Sequence, residues 1–409
     1  MISGVMYMKR IIQRPAYLNR LIAVKNTQDI KVITGVRRCG KSVLLKQMCD
    51  YIQKTEPTAN LVVINLQEME YESLLEYHAL YSYILSKHQK RRHNYLMIDE
   101  VQLCENFEKA INSLHAKELF DIYVTGSNAF LLSSDLATLF TGRVFTVEVY
   151  PFSFAEYMDY FKLKNTDAGF ETYSLIGGFS GAYQYSSENN QYDYLDREVY
   201  QTIVVRDLVK KYRIRNVPLL ESITAYMMDN TANLISASSI TDYLNSAHIE
   251  VTYKTVSKYI GYLCSAYVFY KADRYDLKGK RYLKTDSKYY LCDPALRYAV
   301  LGRRNLDYGR VYENIVYIEL LRRGYQVYVG KLYQKEIDFV ASNRDTKIYI
   351  QVSSYVEDAK VLERETAPLL AIRDAYPKMI IARTHHEPYG HMGIQIVDIS
   401  DWLANIQKL

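Results

Sequence analysis

The run Gly35-Val36-Arg37-Arg38-Cys39-Gly40-Lys41-Ser42 has the residue types to hold a phosphate group. It fits the pattern G-x-x-x-x-G-K-[ST] at every fixed position. Residues 30–34 before it read as a buried strand, and 42–52 after it as a helix with Val43, Leu44, Met48 and Ile52 on or near one face. A glycine-rich turn between strand and helix points backbone N–H groups at an anion, and the helix N-terminus adds partial positive charge. Lys41 would reach the terminal phosphates of a nucleotide and the Ser42 hydroxyl would sit on Mg2+. Gly35, Arg37, Arg38, Cys39, Gly40 and Val43 complete the candidate cradle.

A second constellation follows. Residues 95–98 read as a central strand that ends in Asp99-Glu100, a polar strand end that gains meaning from the loop upstream. Residues 122–125 form another short β-branched strand, leading into Gly126-Ser127-Asn128. Residues 131–140 read as a helix, closed by Thr141-Gly142-Arg143 before a strand over 144–149.

In order, Gly-Val-Arg-Arg-x-Gly-Lys-Ser, Ile-Asp-Glu-Val-Gln, Thr-Gly-Ser-Asn, Thr-Gly-Arg-Val and Tyr-Pro-Phe-Ser-Phe-Ala-Glu-Tyr make the chain similar to prokaryotic AAA+-type P-loop ATPases that carry a C-terminal domain of unknown function. The resemblance covers nearly the whole chain. It implies that Asp99 holds Mg2+ and that Glu100 polarises the attacking water. It favours Asn128 as the polar residue near the γ-phosphate, while Ser127 serves equally well as a helix N-cap. It places Arg143 where an arginine finger reaches a neighbouring subunit's nucleotide; a surface arginine at a helix C-terminus would occupy the same slot.

The elements that must position these residues alternate from 30 to 150, which implies a parallel sheet covered by helices on both faces. Residues 8–21 read as an entry helix that brings Arg14 towards the nucleotide. Helices at 153–161, 171–176 and 192–211, broken by Gly177-Gly178, have the size and place of a helical lid. Residues 219–230, 237–246 and 252–266 then read as three helices, with Ser236, Ser239 and Thr252 as N-caps. Strands at 268–272 and 289–291 flank the basic loop Lys278-Gly279-Lys280-Arg281. Three helices and a hairpin make the pattern of a winged helix. It would offer Lys254 and Lys258 on its third helix, and Lys278, Lys280 and Arg281 on its wing, to duplex DNA. A protein partner is the equal alternative.

The last hundred residues mix a helix with strands. A helix bearing Glu313, then Ile-Asp-Phe-Val around Asp338, then a strand with Gln351 and Ser353, resembles a restriction-endonuclease-like core. In such a core the acids bind Mg2+ and a lysine orients water. Gln351 stands for an acid here and Ser353 for the lysine, so the site reads as degenerate and without nuclease activity. Glu319 is a second candidate on the helix. His385 and His386 read as a solvated loop.

Composition sets the remaining bounds. The 409 residues allow several domains, here expected as an ATPase core (1–150), a lid (151–215), a winged helix (216–305) and the nuclease-like core (306–409). Net charge is only +5, but residues 200–309 hold about 17 Lys/Arg against about 10 Asp/Glu. No apolar run approaches the roughly 18 residues of a membrane span. Five scattered cysteines without metal or redox spacing fit a cytoplasmic protein. Cys39, inside the loop, is expected to be open to alkylation. The 41 tyrosines read as compositional bias. The expected function is ATP binding and Mg2+-dependent hydrolysis, in a homo-oligomer, coupled to DNA or protein binding. The alternatives are an ATP-gated binding module with little turnover and an ATP-regulated nuclease.

Overall fold

The structure, a computed structural model, describes residues 10–126, 140, 142–164, 166–279, 281–303 and 307–405. Ser127, Asn128 and Lys280, and the expected helix over 131–140 apart from Phe140, lie outside the described residues. The chain divides into two compact units, Met8–Val149 and the residues from Tyr150 onward.

In the first unit, β1 (Ile30–Thr34), β2 (Asn60–Asn65), β3 (Asn94–Asp99), β4 (Asp121–Thr125) and β5 (Val144–Glu148) form one parallel sheet in the order β2-β3-β4-β1-β5. β1 and β3 are buried at every position, as strands covered on both faces must be. One face packs Ile30, Val32, Ile64, Leu96, Ile98 and Val124 against the helices Tyr77–Ser86 and Phe107–Ala116. Lys31 is the charged exception within β1. Its buried ammonium lies 2.5 Å from Asp121 Oδ1 and donates to the Thr27 carbonyl at 2.6 Å. The entry helix begins at Pro15 rather than near Met8 and runs to Ala23. Proline suits a first turn, where its missing N–H would have no partner.

The second unit opens with helices Phe154–Phe161 and Thr166–Ile176. Ser153 and Glu156 cap the first reciprocally. Residues 188–212 are helical throughout, widening to π geometry over Leu195–Tyr200 and Thr202–Leu208. The Gly177-Gly178 break has a specific cause. Gly177 has φ of 67°, and a Cβ there would collide with the Asp293 carboxylate, which accepts the Gly178 N–H at 2.5 Å.

Next come helix Val217–Asp229, β6 (Leu234–Ile235), helices Ala237–Ser246 and Tyr253–Ser265, and the hairpin β7 (Phe269–Asp276) and β8 (Arg281–Leu291). Ser236 and Thr252 cap the second and third helices; Ser239 is not a cap but the third helical residue, whose hydroxyl accepts the Ser236 N–H. β6 pairs antiparallel with β8. Helix Tyr308–Arg322 leads into β9 (Gln326–Leu332), β10 (Lys335–Ser342) and β11 (Lys347–Ser353), an antiparallel meander. Helix Ala359–Leu370 crosses to β12 (Lys378–Ala382), parallel to β11; β13 (Tyr389–His391) and β14 (Ile394–Asp398) complete the edge.

The hairpin does not project as a free wing. β7 pairs in parallel with β9, joining all nine strands in the order β13-β14-β12-β11-β10-β9-β7-β8-β6. The boundary expected near residue 305 therefore separates segments that share one continuous sheet. Backbone pairing is the reason: an unpaired β7 edge would leave a row of N–H and C=O groups open. Among the described residues no helix is long and apolar enough to cross a membrane.

Candidate functional site

The loop after β1 is shaped by close approach. Gly35 has φ of 135°, and a Cβ there would strike the Val149 carbonyl beyond β5. Arg38 and Gly40 also take positive φ, 67° and 101°, and helix Lys41–Thr55 starts directly after the turn. The Lys41 side chain is buried and folds back over the loop, donating to the carbonyls of Gly35 (3.0 Å) and Val36 (3.1 Å). Ser42 is exposed at the helix start.

Arg14 braces the loop from outside. It is only 1 % exposed, donates through Nη1 to the Cys39 carbonyl at 2.9 Å, and lies with its guanidinium 4.5 Å from the centre of the Tyr17 ring. Gln47 ties this segment to the helix by accepting the Arg14 N–H and donating to the Ile12 carbonyl. Arg14 thus touches the backbone of the loop. Cys39 departs from expectation. It is 3 % exposed, and burial pushes its thiol pKa up against the pull of Lys41 and Arg14, so it is not an open alkylation target.

The strand order brings β3 and β4 alongside β1, so their C-terminal ends lie on the edge that carries the loop. Asp99, nearly buried, ends β3. The fully buried Thr125 at the end of β4 donates its hydroxyl to Asp99 Oδ1 and accepts the Glu100 N–H at 3.2 Å. It fixes the Asp99 carboxylate and the Glu100 backbone, a role with no local sequence signal because its partners are 26 and 25 residues away. Glu100 is half-buried with φ of 55°, and Gln102 Nε2 donates to its Oε2. Arg143 lies at the opposite edge of the sheet. It is exposed, and its carbonyl accepts the N–H of Ile30 at the start of β1.

In the second unit the sheet and helix Tyr308–Arg322 gather an acidic cluster, with a lysine that the sequence reading missed. Lys288 on β8 is 4 % exposed. Its ammonium lies 2.9 Å from Glu313, 2.7 Å from Glu336 and 3.8 Å from Asp338. Tyr290 donates to Glu313 at 2.7 Å. Burial alone would lower the Lys288 pKa; Glu313, Asp338 and Glu336 more than reverse it. A register shift in β10 between Ile337 and Val340 falls at Asp338. Burial and then Glu313 raise the Asp338 pKa well above the carboxylate range, with Lys288 opposing. Gln351 Oε1 accepts the Asp338 N–H at 3.3 Å, and Asp338 Oδ2 accepts the Val352 N–H at 2.8 Å.

Ser353 is turned elsewhere, donating to the Tyr355 carbonyl at 2.9 Å. Glu319 is not part of the cluster; Arg322 and Arg323 hold it. The Lys288 ammonium lies among these acids, between β8, β10 and the helix. Among the described residues no group of three or more His, Cys, Asp or Glu could hold a metal ion. The only local hint of Lys288 was a lysine beside the apolar end of a strand.

The other basic candidates are dispersed. Lys254 and Lys258 are exposed on helix Tyr253–Ser265. Lys278 lies 4.7 Å from the Tyr333 ring centre, and Arg281 lies 3.7 Å from Asp276.

A parallel sheet with a glycine-rich, lysine-bearing loop at one strand end and paired acids at another defines an AAA-type P-loop ATPase domain. A family model described as an AAA domain matches residues 27–158, and one described as a domain of unknown function (DUF8612) matches 167–307. That second match spans the helices from Thr166 onward and the three-helix segment, not the last hundred residues. An uncharacterized protein of Haemophilus influenzae is 37 % identical over 97 % of this chain and 99 % of its own length. Another, from Methanocaldococcus jannaschii, is 27 % identical over 89 % and 83 %. A solved Walker-type ATPase of Pyrococcus abyssi aligns with 74 % of this chain and 99 % of its own, at 16 % identity and a TM-score of 0.47. The chain belongs to the family of the Haemophilus protein.

Proposed function

We propose that this chain binds ATP with Mg2+ and hydrolyses it, and that nucleotide state sets how its C-terminal half engages a partner. The observation that carries the reading is the row formed by Lys41 in its loop, Thr125, and Asp99-Glu100 on three neighbouring parallel strand ends. The loop N–H groups and Lys41 would take the terminal phosphates. Ser42 and Asp99 would hold Mg2+, which would neutralise phosphate charge. Glu100 would orient and deprotonate water once Gln102 lets it go, with Asn128 assigned beside it.

Arg143 sits a whole strand away from its own loop, roughly 16 Å for five residues. That position suits a neighbouring copy's nucleotide and supports a homo-oligomer. Glu100→Gln should keep ATP affinity and lose turnover. Arg143→Ala should lose turnover with affinity kept, and regain part of it when mixed with Lys41→Ala subunits. Wild-type turnover in Glu100→Gln would sink the assignment.

Residues 217–291 follow the order helix, strand, two helices, hairpin, with the first strand on the hairpin's outer edge. This supports a winged helix whose exposed third helix presents Lys254 and Lys258 to duplex DNA. Protein docking by the same helix has its own support, since the hairpin is sewn to β9 and not held out as a wing. Retention of a duplex at two salt concentrations separates the two readings.

The order helix, three antiparallel strands, helix, parallel strands from Tyr308 to Asp398 supports a restriction-endonuclease-like core. With Gln351 in place of an acid and Ser353 in place of the lysine on β11, it should not cleave DNA even in Mn2+. Cleavage that disappears in Asp338→Ala would overturn this.

A further inference from the structure

Joining β7 to β9 gathers tyrosines that looked scattered in sequence. Tyr275 stands opposite Tyr282 across the hairpin and opposite Gly330 across the β7–β9 pair. Tyr328, two residues before Gly330, faces the same way, because side chains alternate along a strand. The rings form a triangle, with centroids 5.4 Å apart for Tyr275–Tyr282, 5.0 Å for Tyr282–Tyr328 and 6.3 Å for Tyr275–Tyr328. Tyr282 is 63 % exposed, while Tyr275 and Tyr328 rest their inner edges on the apolar core around Leu332 and Val340.

Cations flank these rings. The Lys347 ammonium lies 5.4 Å from the Tyr275 centroid and 5.1 Å from that of the exposed Tyr376. Arg281 neighbours Tyr282 in the chain and is exposed, and Lys278 covers the exposed Tyr333. Three carboxylates share the neighbourhood: Asp276, near Arg281, Asp374, which accepts from the Tyr349 hydroxyl, and Asp273, which acts on Tyr328 and is itself paired with Lys271 at 2.7 Å. The balance is positive.

We propose that this face binds single-stranded nucleic acid. Bases would stack on Tyr282, Tyr328 and Tyr275, and Lys278, Arg281 and Lys347 would meet phosphates. A duplex keeps its base faces inside the stack, where these rings cannot reach them; a single strand offers base faces and phosphates together. The idea is independent of duplex binding by helix Tyr253–Ser265, and it gives the hairpin tip a use that its pairing with β9 denies it as a free wing.

The test is fluorescence anisotropy of the full-length protein with a short labelled oligothymidine and with a duplex of equal length. Tyr282→Ala should weaken oligothymidine binding about tenfold, with duplex affinity and thermal midpoint near wild type. Adding Tyr328→Ala should weaken it further, and Tyr282→Phe should restore it. Replacing Lys278, Arg281 and Lys347 by alanine should flatten the logarithmic salt slope for the oligonucleotide by about two. The proposal falls if wild-type protein does not retain oligothymidine at low salt. It also falls if Tyr282→Ala binds it as wild type does, or loses duplex and oligothymidine equally.

Discussion

Lys41 and Lys288 are both buried ammonium groups, and their surroundings differ in kind. Lys41 meets two backbone carbonyls of its own loop. Those dipoles satisfy hydrogen bonds but cancel no charge. Lys288 meets three carboxylates, and its charge is matched from within the fold. A buried cation held by neutral acceptors suits an anionic ligand, which can supply the missing charge. One already held by carboxylates locks strands together and has nothing to offer a ligand. The same side chain therefore belongs to an anion-ready loop in one unit and to an internally paired acidic cluster in the other.

The comparison is broken most directly by removing each lysine. Lys288→Ala should destabilise the protein by about 3–5 kcal/mol, because it strands Glu313 and Asp338 in the interior; a denaturant titration that moves by less than about 1 kcal/mol would show that the cluster relaxes easily. Lys41→Ala should do the reverse. It should leave unfolding nearly unchanged and weaken ATP binding by about a hundredfold or more, roughly 3 kcal/mol, read by calorimetric titration.

The double change Lys288→Met with Glu313→Gln sharpens the contrast. It should recover much of the stability lost in Lys288→Ala, because it leaves no Glu313 charge stranded and Asp338, with its raised pKa, can stay protonated. Recovery would place the lysine's role in charge matching; no recovery would place it in packing.

A third buried charge, Asp293, lacks a lysine altogether. Burial raises its pKa to about 6, although the Gly178 and Ala295 N–H groups oppose the shift. The unfolded carboxyl titrates near 3.9. Between these values the folded form binds more protons, so this group's contribution to stability falls as pH rises from about 4 to 6. The loss is on the order of 2–3 kcal/mol. Wild type minus Asp293→Asn, measured as unfolding free energy across that window, should show this slope; a flat difference would mean that the carboxyl ionises at its ordinary pH.

The smallest expected effect is at Thr125. Thr125→Val keeps shape and removes the hydroxyl that joins Asp99 to the Glu100 backbone. Mg2+-dependent turnover should drop about tenfold, some 1.4 kcal/mol of barrier, with ATP affinity nearly kept. An unchanged rate in a phosphate-release assay would show that Asp99 needs no such support.

What was legible in sequence was what is local. The Gly35–Ser42 turn, its flanking strand and helix, and Asp99-Glu100 at a strand end lie in short segments whose conformations follow from neighbouring residues. The caps at Ser236 and Thr252 were local too. What went unread depends on partners far along the chain. Arg14 was expected near the nucleotide, but its bond to the Cys39 carbonyl, 25 residues on, was not. Lys288 meets Glu313 across 25 residues and Glu336 only after two more strands have formed.

The hairpin shows the same limit. Its alternation and basic turn specified a hairpin, but nothing within it specified that β7 would pair with β9. That pairing belongs to the tertiary fold, since an open strand edge must find a partner and only the assembled sheet decides which one. The sequence by itself determined the phosphate loop, the acids and the order of elements. The tertiary structure decided that Thr125 joins the Asp99 carboxylate to the Glu100 backbone, that Cys39 is sealed, that a lysine fills the acidic cluster of the second unit, and that tyrosines from three strands share one face. Charge pairing, burial and ring contact act through space, and a sequence pattern reports only distance along the chain.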